Sequence, residues 1–176
     1  RLFGGEGSET RTAFGSGSIT VRSGATLWLD RAILANPLVL DGGLVLGSNG
    51  FGEVLSGPVS VTADSTVDSS FNITFSGAVS GSGVLTLANS WRDEGELRIT
   101  GTDSRSAGTV LTAGVLQIGD GGSSGSVAGP ITTTLRGGVV FRRSDDIAHT
   151  GSITGPGSVT QAGSGTLTLG NAAAHT

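Results

Sequence analysis

Apolar residues recur at alternate positions in short runs along most of this chain, and a period of two marks strands, not helices. Six runs share a form in which glycine precedes an apolar–x–apolar strand: 24–29, 43–46, 83–87, 114–118, 137–141 and 165–169. Their first apolar positions fall at 27, 44, 85, 116, 139 and 167. Weaker strands at 58–61 and 65–67 fill the gap between 44 and 85, leaving an irregular period of roughly 17 to 31 residues, the length of a coil. Further short strands are read at 19–21, 71–75, 97–99, 109–111, 131–135 and 158–160, so each coil holds two or three.

A strand of three to five residues has too little apolar surface to stand alone, and stacking like strands on like buries a continuous core. The pattern therefore predicts an all-β fold of the parallel β-helix (β-solenoid) type. The competing fold is an antiparallel β-sandwich or jelly roll, which also uses short strands separated by turns. Against it, the Asn-Gly hairpin signal occurs once, at Asn49-Gly50, inside a glycine-rich loop. The one stretch with helical flavour, 29–38, is cut by Pro37.

Composition narrows the picture. Glycine supplies 32 of 176 residues, whereas proline supplies 4 and hydrophobic residues 36%, so this is not a disordered glycine-rich linker. Glycine serves the corners, where positive φ is needed. Charge is sparse, with 14 acids against 10 bases, all arginine, and a net charge of −4. That balance offers no handle for nucleic acid or an anionic membrane. Cysteine is absent, excluding disulfides and thiolate metal sites. No run approaches the ~18 apolar residues of a membrane span, and no cofactor motif is present. The chain opens at Arg1 without Met, as expected if processing or excision removed what preceded it. Residues 1–16 are expected to form an N-terminal extension or cap, and 17–176 the repeat domain, ending within a repeat.

The order of motifs resembles a known family. Gly81-Ser82-Gly83-Val84-Leu85-Thr86-Leu87, followed by Asn89-Ser90-Trp91, and later Gly108-Thr109-Val110 with Ala113-Gly114-Val115-Leu116-Gln117-Ile118-Gly119, follow one repeat pattern. A further copy starts at Gly151 and runs through Gly163-Ser164-Gly165-Thr166-Leu167-Thr168-Leu169. This pattern is similar to the autotransporter-associated β-strand repeat of secreted and surface-displayed bacterial passenger domains. The likeness is close from about Ser76 onward and loose before it. Residues 92–107 depart from the pattern as an insertion, expected to form a longer loop. The resemblance implies a right-handed parallel β-helix at the cell surface or outside the cell, serving as a stalk, adhesin or self-assembling fibre. Partners implied are surface or matrix components, or the chain itself through head-to-tail stacking or strand donation at an uncapped end.

Residues able to carry chemistry are few. His149 and His175 are the two imidazoles. A Ser–His–Asp arrangement through His149 and Asp145 or Asp146 lacks the Gly-x-Ser-x-Gly turn that presents a nucleophile, and Ser16 and Ser82, though flanked by glycines, read as repeat corners. The densest charge cluster is Arg142-Arg143-Ser144-Asp145-Asp146, and alternation places Arg142 outward with Val140. Polysaccharide-cleaving β-helices use Arg and Asp on an outer face, so an enzyme of that kind, drawing also on Glu96, is the rival reading; the favoured one is a solvated loop whose Arg and Asp pair weakly. Asp93, Glu94 and Glu96 lack the spaced oxygen ligands of a calcium loop. Trp28 lies between inward Leu27 and Leu29, which sends its indole outward, where it would suit carbohydrate or protein contact unless 31–37 covers it. The sequon Asn72-Ile73-Thr74 reads as chance. Trp28 and Arg142 are thus the candidate contact residues, in a non-catalytic structural module with no cofactor and no metal site.

Overall fold

A computed structural model of the chain describes residues 2–3, 15–48, 52–90 and 95–171. Among these, strands stack into a right-handed parallel β-solenoid of about seven coils. The chain visits three sheets in turn, of nine, seven and six strands, and away from the two ends each sheet collects every third strand. Neighbouring strands pair in parallel throughout, as in Ser65–Ser69 with Leu85–Ala88 and Glu96–Ile99 with Gly114–Ile118. The antiparallel sandwich is therefore overturned.

The alternation seen in sequence becomes a set of columns running along the solenoid axis. In the nine-stranded sheet Leu27, Val45, Val67, Leu87 and Leu111 stack in register and are buried. In the seven-stranded sheet the column is Leu34, Leu55, Phe75, Ile99, Ile118 and Phe141. Leu38, Val59 and Val79 begin the corresponding column of the six-stranded sheet. Each short strand is stabilised by the coils above and below, at roughly 1.5–3 kcal/mol per buried aliphatic side chain.

The apparent irregularity of the sequence period has a simple origin. Runs beginning near 27, 44, 85 and 167 belong to the nine-stranded sheet, whereas Gly114–Ile118 and Gly137–Phe141 belong to the seven-stranded one. Two faces of the solenoid share one Gly–x–apolar–x–apolar signature. From Ile19 onward the step within a face narrows to between 18 and 24 residues, as from Thr26 to Leu44 and from Leu85 to Thr109, and side-chain hydrogen bonds reaching the adjacent coil span 18 to 25 residues.

Two local expectations are corrected. The 92–107 insertion is no simple loop, since Glu96–Ile99 and Thr102–Asp103 supply strands to two sheets. The stretch 29–38 is not helical: Ile33–Leu34 forms a strand and Arg31 takes φ 53° at a corner. Ser65–Ser69 provides the coil expected between 44 and 85. At the corner after Val79–Gly81, Gly81 has φ 114°, and a Cβ there would lie 2.1 Å from the Val61 carbonyl oxygen, so only glycine fits. The backbone of Leu2–Phe3 pairs with Leu29 and Asp30. Of the expected cap, residues 1 and 4–14, and with them Trp91, Asp93, Glu94 and His175, lie outside the described residues.

Candidate functional site

Trp28 sits in Thr26–Asp30 between buried Leu27 and Leu29, so its indole is on the outer face, half-buried, and in register with Leu46 on the next strand. Leu44 and Leu46 share that outer face. Along the same face Thr66, Thr86, Val110, Thr132 and Thr154 align in one column. Thr132 and Thr154 bring their hydroxyls to 3.4 Å. This face is thus lined by hydroxyl and methyl groups, with an aromatic at one end.

Arg142 is exposed directly after Gly137–Phe141, where Val139 and Phe141 point inward and Val140 outward. Its neighbour Arg143 is the fixed member of the pair. Arg143 Nε donates to Asp145 Oδ1 at 2.8 Å, while its terminal nitrogens donate to the carbonyl oxygens of Gly125 at 2.6 Å and Ser123 at 2.7 Å. It therefore pins the glycine-rich corner 119–125 of the preceding coil. The hydrogen bond from Arg143 holds the Asp145 carboxyl below its usual range, and Asp145 in turn raises the guanidinium.

The carboxylates weighed for cleavage chemistry do not converge. Glu96 is paired with Arg98 on the outer face of the seven-stranded sheet. Asp145 is engaged by Arg143, and Asp146 Oδ1 accepts the Thr166 backbone N–H at 2.7 Å. Glu96 aligns through Val115 with Gly138, so Arg142 lies two strands away and four residues further along. At about 3.3 Å per residue and 4.8 Å per strand, that separation is about 16 Å. His149 is 2% exposed and faces the Val127 carbonyl, not a carboxylate or a serine, so no triad forms around it.

A feature not anticipated from sequence is a buried ion pair. Asp103 occupies the inward position between Val79 and Val127 in the six-stranded sheet, and its side chain and that of Arg105 are each 1% exposed. Arg105 Nε donates to Asp103 Oδ1 at 2.9 Å and a terminal nitrogen to Oδ2 at 2.5 Å. The other donors reach the carbonyl oxygens of Gly108 and Gly83 and the Thr109 hydroxyl. Every direction of the guanidinium fork is met, which is the condition for tolerating such a charge in a core. The signal available in sequence was the spacing Asp103-x-Arg105, repeated in reverse order as Arg143-x-Asp145. Both pairs join residues two apart, on the same side of an extended chain. Among the described residues no group of His, Asp and Glu is arranged to hold a metal ion.

No protein-family model matches the chain, and no solved structure matches it. Over 54 residues it is 50% identical to the adhesin BmaC autotransporter of Brucella suis biovar 1 (strain 1330). The matched segment is 31% of this chain and 2% of that relative, so the chain spans a small part of the curated protein to which it is similar.

Proposed function

We propose that this chain is a non-catalytic segment of a bacterial surface or secreted adhesin, a rigid stalk that holds contact residues away from the cell. The observation carrying the reading is the identity with an autotransporter adhesin in a chain folded as a continuous parallel solenoid. The motif order of the autotransporter-associated β-strand repeat supports the same reading. About seven coils at about 4.8 Å each make a segment about 34 Å long. Outer-face Trp28 and exposed Arg142 are the contact positions, toward a surface or matrix component, a glycan, or another copy of the chain. In a cell-adhesion assay, beads carrying the chain are retained on cultured cells or matrix glycoprotein, and Trp28→Ala with Arg142→Ala lowers retention at unchanged folding. Retention no better than on bare beads refutes the adhesive role. Hydrolysis of a polysaccharide by the purified chain refutes the non-catalytic one.

A further inference from the structure

His149 has an environment that only its neutral form suits. Its side chain is buried in the strand Ile147–Thr154, and Nδ1 lies 3.0 Å from the Val127 carbonyl oxygen. A carbonyl only accepts, so Nδ1 carries the proton and Nε2 is the bare nitrogen. Nε2 is buried with no hydrogen-bond partner, and the ring packs against Phe141 at a centroid distance of 5.7 Å. A second proton would thus arrive at a nitrogen that no acceptor meets.

Among the described residues, the elements around the ring supply no compensating charge. Ser126–Val127, Gly137–Phe141 and Leu167–Asn171, the last placing Leu169 beside His149, contain no acid or base. Asp103 lies one strand beyond Val127 with both carboxylate oxygens held by Arg105. In the corner preceding His149, Asp145 is committed to Arg143, and Asp146 accepts from Thr166. The pairing of Ile147–Thr154 with Leu167–Asn171 also shifts register between His149 and Ser152.

We propose that His149 is an acid-sensitive latch whose protonation loosens the stack of Ser126–Val127, Ile147–Thr154 and Leu167–Asn171 and leaves the preceding coils intact. Burial holds the imidazole below its ordinary value, with the Val127 bond opposing in part. The folded state then binds fewer protons than the unfolded one. Stability conferred by neutral His149 is complete above pH ~6.5 and falls as the pH drops toward the folded-state value, by at most about tenfold in the local folding constant per pH unit. A latch of this kind lets a surface rod open locally in an acidified compartment.

The test follows the His149 ring by NMR in the histidine-labelled chain, with His149→Asn to assign it against His175, alongside regional hydrogen exchange at pH 7.5 and 5.0. The expected results are titration below 6.5 and a rise in corrected exchange confined to 126–127, 147–154 and 167–171. His149→Asn keeps a donor for the Val127 carbonyl and abolishes the acid response. Titration at or above 6.5, an exchange increase spread evenly over all coils, or an unchanged acid response in the variant each overturns the proposal. Should the variant fail to fold, the titration and exchange of the unmodified chain decide the matter.

Discussion

Replacing Asp103 with valine restores the aliphatic column set by Val59, Val79 and Val127, yet it strands the Arg105 guanidinium in a core where that side chain is 1% exposed. Arg105 keeps the Gly108 and Gly83 carbonyls and the Thr109 hydroxyl, but loses its counter-charge and three carboxylate bonds, two from the guanidinium and one from its backbone N–H. Breaking one half of a buried pair costs about 3–5 kcal/mol. The reciprocal change Arg105→Leu strands the carboxylate and costs a similar amount. Asp103→Val with Arg105→Leu removes both charges and leaves the backbone N–H of position 105 without the Asp103 Oδ1 acceptor, a deficit of about 1–3 kcal/mol. The double variant is therefore more stable than either single variant, with a coupling energy above about 2 kcal/mol. Urea unfolding followed by far-ultraviolet circular dichroism measures all four proteins. Hydrogen exchange over Thr102–Asp103 and Thr109–Leu111 locates the loss, because coils contact only their neighbours. Additive single effects, or an Asp103→Val variant within about 0.5 kcal/mol of the unmodified chain, would refute the reasoning.

Two further outcomes follow from local geometry. Gly81→Ala destabilises by more than about 1 kcal/mol in the same urea experiment, because the added methyl meets the Val61 carbonyl at a φ of 114°. Arg143→Ala returns the Asp145 carboxyl upward toward about 3.9 by NMR titration and speeds exchange in the corner 119–125, which loses its anchor. Because the folded Asp145 carboxyl is depressed, whatever acid sensitivity this pair confers sets in below about pH 4 and vanishes in the variant.

The fold was legible because each coil repeats one physical demand, an inward apolar pair on a short strand. Leu85 and Leu87, or Leu116 and Ile118, reveal that demand without any neighbour. Sequence could not separate the faces, since Gly83–x–Leu and Gly114–x–Leu look alike while lying in different sheets. The strand expected at 97–99 is present, lengthened by Glu96, which points outward with Arg98 as a pair over inward Leu97 and Ile99. The outward places of Trp28 and Arg142 followed from alternation. The burial of Asp103, Arg105 and His149 did not, because a polar residue on an inward position is acceptable only when distant groups such as Gly83 or Val127 complete its hydrogen bonds.

The central claim is the parallel, in-register stacking of successive coils, and the absence of native cysteine makes it directly testable by cross-linking. Thr66 and Thr86 are direct partners on the outer face of adjacent coils, as are Val110 and Thr132. Cysteines at either pair sit about 4.8 Å apart between Cα atoms, within disulfide range, whereas cysteines replacing Thr66 and Val110 lie two coils apart at about 9.6 Å. Mild oxidation of the double variants, read by mass spectrometry under non-reducing conditions, is predicted to close intramolecular disulfides in the first two and not in the third. Equal cross-linking of all three, or none in the direct partners, would contradict the solenoid.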